Sequence, residues 1–261
     1  MIALIVISFL ASAIAVLYFM RRARRHARRY SLDMPQRFHA GHVPRLGGAG
    51  ILFGATAGWL AAGTTATDPL NVNWPVPGAL LLLACIAAAV LGGVAEDVTQ
   101  RVPVRVRLGL TTASAVLLCW LLGLGVQRLG YYPVDQWLQA TPLAAAFIAV
   151  LALSGLPHAF NIIDGYNGLA GAVAVQVCLA ITHLALQLGD RQLAAMVVWL
   201  KGATGGFLLW NYPRGKIFAG DGGAYIWGMV IAIACVQLVQ RHAMVSPWFP
   251  MLLLIYPVWE T

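Results

Sequence analysis

The chain has 261 residues, of which 60% are hydrophobic and only 10% are charged, and its mean hydropathy is +0.77. Soluble domains usually carry about 25% charged residues, so this composition excludes an ordinary water-soluble globular protein. The net charge of +8 does not indicate nucleic-acid binding, because the basic cluster Arg21–Arg29 directly follows an apolar stretch and fits a lipid anchor better. The expected partner of this surface is the lipid bilayer.

Apolar stretches recur along the whole chain, and crossing a bilayer takes about 20 residues per helix. They predict an all-α, polytopic transmembrane helix bundle of about nine spans, forming one integral membrane domain over 1–261. The four cysteines lie inside these stretches without a C-x-x-C pair, so neither disulfides nor a zinc site are predicted. The stretches run approximately over 1–20, 46–64, 77–95, 108–126, 142–157, 168–187, 192–210, 222–240 and 248–260.

The first stretch has no basic residue before it and a basic segment after it, which is the reverse of a cleavable signal peptide. We therefore expect a membrane anchor with the N-terminus outside. If the chain changes sides at each span, most of its 17 Lys and Arg residues fall on inner loops. This agrees with the excess of Lys and Arg that cytoplasmic loops carry. Most of the acids then lie at the inner face: Asp33, Glu96, Asp97, Asp164, Asp221 and Glu260. We predict that Glu96, Asp97, Asp164 and Asp221 form a shared site there, flanked by Asp33 and Glu260.

A basic, glycine-containing loop precedes the second stretch. His39 and Arg45 supply cationic donors near the lipid headgroups, and Gly47 and Gly48 allow a tight entry into the span. Taken alone, this loop fits a basic interfacial segment as well as a phosphate-binding site, so both interpretations stay open.

Two adjacent acids, Glu96 and Asp97, lie at the inner end of the third stretch. Like charges repel each other unless a cation or a proton lies between them. A hard divalent ion with oxygen ligands is the usual partner of such a pair. The alternative is an interfacial acid pair bonded to Arg101 or Arg105.

Two polar, glycine-rich loops follow later in the chain. The first holds Asn161 and Asp164, which are three residues apart and so share one face of a helical turn. The second, residues 211–223, combines Lys216 and Asp221 with aromatic residues and glycines. Glycine amides can cradle phosphate oxygens and an acid can hold magnesium, so this loop suits a nucleotide diphosphate. A helix-breaking loop without a ligand is the alternative.

Four segments together resemble the polyprenyl-phosphate N-acetylhexosamine-1-phosphate transferases of glycosyltransferase family 4: P-R-x-G-G at 44–48, Glu96-Asp97, N-x-x-D-G-x-x-G-L-A at 161–170 and N-Y-P-R-G-K-I-F-A-G-D-G-G at 211–223. The resemblance runs from about Asp33 to Thr261 in the family's order. It implies about ten or eleven transmembrane helices in a full-length member, with a cytoplasmic active site in the bacterial inner membrane. The family's His-rich loop has no counterpart before Thr261, so we expect a chain that lacks its C-terminal part.

The resemblance implies transfer of a HexNAc-type sugar 1-phosphate from a UDP-sugar to undecaprenyl phosphate, with release of UMP. Such a reaction is the first membrane step of cell-envelope polysaccharides, including the O-antigen of lipopolysaccharide. The implied cofactor is Mg²⁺, or Mn²⁺ in its place, and a homodimer is left open. The implied roles are catalysis by Glu96, Asp97 and Asp164, metal binding by Asp221 and Asp97, and substrate binding by Asn161, Asn211, Arg105, Arg107, Lys216, His39 and Arg45.

Two other functions stay open. A transporter would also use acids and broken helices in a membrane, and Lys201, near the middle of its stretch, favours that function. Transporters, however, place coupling groups near the midplane, whereas the acids here gather at one face. The second alternative is a catalytically silent homologue, which the missing C-terminal loop keeps open. Release of UMP in the presence of donor and acceptor separates all three.

Overall fold

A computed structural model describes residues 1–27, 43–64 and 76–261. This part of the chain contains helices and no strand, which confirms the predicted all-α class. The helices are α1 (Ile2–Ala27), α2 (Gly47–Thr64), α3 (Val76–Thr99), α4 (Val104–Leu122), α5 (Tyr132–Ala140), α6 (Pro142–Ile163), α7 (Leu169–Gln187), α8 (Arg191–Asn211), α9 (Gly220–Arg241), α10 (Trp248–Leu253) and α11 (Ile255–Trp259).

Seven of the described helices are long and apolar enough to cross a membrane: α1, α3, α4, α6, α7, α8 and α9. They confirm a multi-spanning membrane bundle. The apolar part of α2 is shorter, and the predicted last stretch forms the two short helices α10 and α11 instead of one span. The count of about nine spans and the outside position of the N-terminus therefore remain predictions.

Helix α9 lies at the centre of the bundle. Every residue from Gly220 to Val236 is buried, and the helix contacts α2, α3, α6, α7 and α8. From Ala224 to Val236 its side chains are apolar or small on all faces, which is the pattern of a helix surrounded by other helices. The N-terminus of α9 is consequently the point at which several other helix ends meet.

Small residues bring α1 close to both α2 and α8. Gly202 and Gly206 of α8 lie against the α1 backbone near Ile5 and Phe9. Small residues spaced four apart allow transmembrane backbones to approach closely, which replaces the hydrophobic driving force that lipid removes. Three glycines of α2 follow this spacing and face α1: Gly50 lies against Val16, Gly54 against Ser12 and Gly58 against Ser8.

At the opposite end of the bundle, Asp190 joins the start of α8 to the end of α9. Its Oδ1 accepts the Leu193 N–H at 2.9 Å, which caps α8. Its Oδ2 lies 3.2 Å from Nη1 of Arg241 and 3.1 Å from Nε2 of His242. Arg128 donates hydrogen bonds to backbone carbonyls beyond α9, among them that of His242. Charged groups at this end therefore serve to hold helix ends together.

We expect Asp190→Ala to lower the free energy of unfolding by about 1–2 kcal/mol at neutral pH, because it removes a helix cap and an ion pair. Burial alone would raise the pKa of Asp190, but the Leu193 N–H, His242 and the charge of Arg241 lower it below its ordinary value. A lowered pKa stabilises the fold above the unfolded-state value of about 3.9, and this contribution is lost as the pH falls through the folded-state pKa.

Unfolding of detergent-solubilised protein, followed between neutral and acidic pH, measures this effect. The difference between Asp190→Ala and the wild type should shrink as the pH falls. Asp190→Asn is the matched control, since it keeps an oxygen to cap α8 and removes only the charge. A difference that stays constant with pH would contradict the electrostatic part of the explanation.

Candidate active site

A carboxylate from another helix caps the N-terminus of α9. Asp97, in the last turn of α3, is 1% exposed, and its two oxygens accept the N–H groups of Asp221 and Gly222, each at 2.9 Å. The first N–H groups of a helix have no partner within the helix and carry a partial positive charge, so an acid stabilises them. The residue at the N-cap position, Ala219, has no side-chain acceptor for this purpose.

Glycines permit the close backbone contacts that this cap requires. A Cβ atom on Gly93 of α3 would lie 2.7 Å from the backbone nitrogen of Gly222. A Cβ atom on Gly48, at the start of α2, would collide with the backbone nitrogen of Gly223. Gly220 has a φ of +71°, in the left-handed region that favours glycine. The ends of α2, α3 and α9 therefore meet backbone to backbone.

The loop before α2 is held against the loop before α9, and this brings Arg45 to the same place. Nη2 of Arg45 lies 3.9 Å from Oδ1 of Asp221. The hydrogen bonds between the loops run from the Phe218 N–H to the Pro44 carbonyl (2.9 Å), from the Gly47 N–H to the Phe218 carbonyl (2.9 Å) and from the Gly48 N–H to the Ala219 carbonyl (2.8 Å).

Asp221 is the charged group around which the site is arranged. Its side chain is 3% exposed, and its Oδ2 accepts a hydrogen bond from Nη1 of Arg107, which lies in the first turn of α4. Arg105, one of the other predicted basic residues, is exposed and makes no ion pair with any described residue. The two predicted arginines of α4 are thus in different environments.

Sequence reasoning missed Tyr225, which lies one turn after Asp221 in α9. Its hydroxyl is buried beside the guanidinium of Arg107. Its ring packs edge-on against His158, with 5.2 Å between ring centroids, and Nε2 of His158 lies 3.1 Å from Oγ1 of Thr111. The four-residue spacing from Asp221 on a helix was the signal that could have found it.

Asp164 lies at the C-terminal end of α6 and is half-buried. Burial of its carboxyl raises the pKa of Asp164 to about 7, with Arg45 lowering it and Asp221 raising it further. A carboxyl with this pKa can take up or release a proton near neutral pH. Asn161, one turn earlier, is also half-buried.

Asn211 joins the two glycine-rich loops to each other. Its amide oxygen accepts the Gly168 N–H at 2.6 Å, and its amide nitrogen donates to the Ile217 carbonyl at 2.9 Å. Lys216 is exposed, with its Nζ 5.7 Å from the centroid of the Trp210 ring. In this structure the Asn211 side chain therefore holds the two loops together, and its role in substrate binding stays a prediction.

Glu96 is used differently from its neighbour Asp97. Its Oε2 accepts the Val102 N–H at 2.7 Å and so closes the turn between α3 and α4. The two adjacent acids thus stabilise two separate backbone segments, and the catalytic role predicted for each stays a prediction. His39 lies outside the described residues.

Among the described residues, no three His, Cys, Asp or Glu side chains are grouped to hold a metal ion. Magnesium, however, commonly binds one or two carboxylates and takes its other oxygens from substrate phosphates and water. Asp221 suits this mode, because Arg45 is 3.9 Å from its Oδ1 and leaves room for a closer ligand. Asp97 suits it less well, since both of its oxygens already accept N–H groups.

Comparison with known proteins identifies one family over most of the site. Residues 79–239, more than half of the chain, match the family described as glycosyl transferase family 4. The matched range contains α3 to α9 nearly complete and includes Asp97, Arg107, Asp164 and Asp221.

Individual relatives are similar over different shares of their length. The "Probable undecaprenyl-phosphate N-acetylglucosaminyl 1-phosphate transferase" of Bacillus subtilis is 26% identical over 263 aligned residues, which cover 98% of this chain and 70% of the relative. The "Decaprenyl-phosphate N-acetylglucosaminephosphotransferase" of Mycobacterium tuberculosis is 30% identical over 214 residues, or 75% of this chain and 50% of the relative. The "Phospho-N-acetylmuramoyl-pentapeptide-transferase" of Moorella thermoacetica is 32% identical over 148 residues, or 57% of this chain and 45% of the relative.

Proposed function

This chain belongs to glycosyl transferase family 4, and on that premise we propose that it transfers a HexNAc-type sugar 1-phosphate from a UDP-sugar to a polyprenyl phosphate. The names of two relatives specify an undecaprenyl or decaprenyl phosphate together with an N-acetylglucosamine phosphate group. The reaction would start a cell-envelope polysaccharide at the bacterial inner membrane.

The observation that carries the proposal is the cluster at the start of α9. Three carboxylates and two arginines, contributed by separate segments, meet at one end of a membrane bundle: Asp97, Asp164, Asp221, Arg45 and Arg107. A site for two phosphate-bearing substrates needs cationic groups to hold the phosphates and carboxylates to hold a cation or a proton. This end of the bundle also carries exposed basic residues on its loops, which supports a cytoplasmic orientation.

Charge is the main obstacle to the proposed reaction, because two anions must approach each other. Arg45 and Arg107 would meet phosphate oxygens, with Asp221 as the residue that holds Mg²⁺. When bound, the metal ion would supply charge neutralisation at the diphosphate and at the departing UMP. Arginine suits the phosphate role because its planar fork can donate two hydrogen bonds at once.

In the proposed step, an oxygen of the polyprenyl phosphate attacks the sugar-bearing phosphorus of the UDP-sugar. The new P–O bond forms as the bond from that phosphorus to the bridging oxygen breaks, and UMP leaves with that oxygen. The acceptor phosphate is already a nucleophile near neutral pH, so a covalent enzyme intermediate is not required. The Asp164 carboxyl, with its pKa near 7, would accept the proton of an acceptor that arrives singly protonated.

Purified protein in nanodiscs, incubated with undecaprenyl phosphate, Mg²⁺ and a panel of UDP-sugars, tests the proposal. The panel contains UDP-GlcNAc, UDP-GalNAc and UDP-MurNAc-pentapeptide. We expect one of these donors to release UMP and to give a lipid-linked diphosphate sugar in equal amounts. Chelation of the metal should stop both, and Mn²⁺ should restore them. A folded protein that releases UMP from none of the donors would exclude the proposed function.

The homodimer stays a prediction.

A further inference from the structure

Arg107 occupies the same carboxylate that the proposed function assigns to the divalent cation. Its Nη1 donates to Oδ2 of Asp221, and the only other cation near this carboxylate among the described residues is Arg45, whose Nη2 is 3.9 Å from Oδ1. Because Asp221 is buried, its negative charge requires a cation close by. Arg107 and a metal ion can therefore each neutralise the charge of Asp221.

The ion pair between Arg107 and Asp221 uses only part of the hydrogen-bonding capacity of the guanidinium. Of the donors on the guanidinium, a single nitrogen bonds to the carboxylate, so the two-pronged arrangement that makes Arg–carboxylate pairs strong is not formed. Nε of Arg107 is buried without a hydrogen-bond partner in the described chain, close to the hydroxyl of Tyr225. Buried polar atoms without partners destabilise an arrangement, so this one favours a change of partners.

We propose that Arg107 and the divalent cation exchange places on Asp221, so that binding of the cation releases Arg107 to bind a substrate phosphate. This inference rests on the metal role that the proposed function gives to Asp221. The side chain of Arg107 is 17% exposed, so part of it is already accessible from outside the bundle. The exchange keeps the charge of Asp221 balanced before and after substrate arrives.

Binding of Mn²⁺ alone to the detergent-purified full chain, measured by electron paramagnetic resonance without substrate, tests the exchange. Arg107→Gln removes the competing cation and should lower the Kd for Mn²⁺ about tenfold. The reason is that Mn²⁺ no longer has to displace a charged hydrogen bond from Asp221 before it binds. Arg101→Gln is the matched control, because it removes the same charge from an exposed position in the preceding turn and should leave the Kd unchanged. Arg107→Lys, which keeps a cation, should stay near the wild type.

A second readout uses the substrate. In Arg107→Gln, the KM for the UDP-sugar should rise about tenfold while the Mn²⁺ concentration for half-maximal activity falls. A merely structural defect would weaken both. For the unmodified protein, phenylglyoxal labelling followed by mass spectrometry should show Arg107 becoming more reactive on addition of Mn²⁺, with Arg101 as the internal reference. This measurement does not depend on a variant that folds.

The outcomes separate the two proposals. If Asp221→Asn abolishes Mn²⁺ binding but Arg107→Gln binds Mn²⁺ no more tightly than the wild type, the exchange is wrong and the metal role of Asp221 stands. If Asp221→Asn binds Mn²⁺ as the wild type does, the metal role itself is wrong. Unchanged labelling of Arg107 on Mn²⁺ addition also contradicts the exchange.

Discussion

Replacement of Asp221 by Asn is expected to reduce UMP release by about a thousandfold or more, because it removes the charge that, in the proposed function, would hold the metal ion against the phosphates in the transition state. The protein should still insert and fold. Asn has nearly the same shape as Asp, and the backbone N–H of residue 221 would keep its hydrogen bond to Asp97. The measurement is UMP release at saturating Mg²⁺, with size-exclusion elution as the test of folding.

Asp135→Asn is the control for this variant. Asp135 also lies in the first turn of a helix, α5, and accepts the Leu129 N–H at 2.6 Å, but it is outside the site. Its replacement should leave turnover near the wild-type rate. Near-normal turnover in Asp221→Asn would remove Asp221 from the reaction and would leave the charged cluster without an assigned role.

Replacement of Gly93 by Ala is expected to lower activity about a hundredfold and the free energy of unfolding by about 1–3 kcal/mol, the usual cost of overpacking. The added Cβ would lie 2.7 Å from the Gly222 nitrogen and 2.8 Å from the Asp221 carbonyl carbon. Both are backbone atoms of α9, which is enclosed by other helices and cannot yield easily. Helix α3 would have to move away from α9, and the Asp97 cap would be lost.

Gly109→Ala provides the comparison within the same bundle. A Cβ on Gly109 of α4 meets no atom within 4 Å, so this substitution adds a methyl group without a collision. Alanine favours a helix over glycine by up to about 1 kcal/mol, so Gly109→Ala should be as stable as the wild type or more stable. Activity and thermal unfolding are measured side by side. Equal activity of the two variants would show that the α3–α9 contact is not needed for the reaction.

Much of the fold could be predicted from hydropathy alone, because a bilayer requires long apolar helices. Helix α5 was not predicted, since its nine residues are amphipathic and lie between two spans. The predicted final span is interrupted in the structure, where Pro250 lies in α10 and Pro257 in α11. Proline removes a backbone donor, which explains why this apolar stretch is not one continuous helix.

The site was predicted as a set of residues but not as an arrangement. Glu96 and Asp97 are neighbours, and neighbouring residues on a helix point about 100° apart. Sequence could not tell which of the two faces α9, because that depends on how α3 packs. Gly93 belonged to a predicted span and Gly222 to a predicted glycine-rich loop, whereas in the structure they mark a close approach of two backbones. Tyr225 was missed because it lies just beyond the end of the polar motif, inside a predicted span.

The central position of α9 has a consequence for the order of events during synthesis. Asp97 is made 124 residues before the Asp221 N–H group that it caps. At ribosomal speeds of roughly 5–20 residues per second, this gap lasts about 6 to 25 seconds. During this time α3 and α4 are already synthesised, but Asp97 and Arg107 lack the partners in α9 to which they bind in the folded protein. Helix α9, the last of the seven described candidate spans, must then enter between helices that were inserted before it. A nascent chain that stalls before α9 therefore lacks the proposed site, which is assembled only when this helix docks.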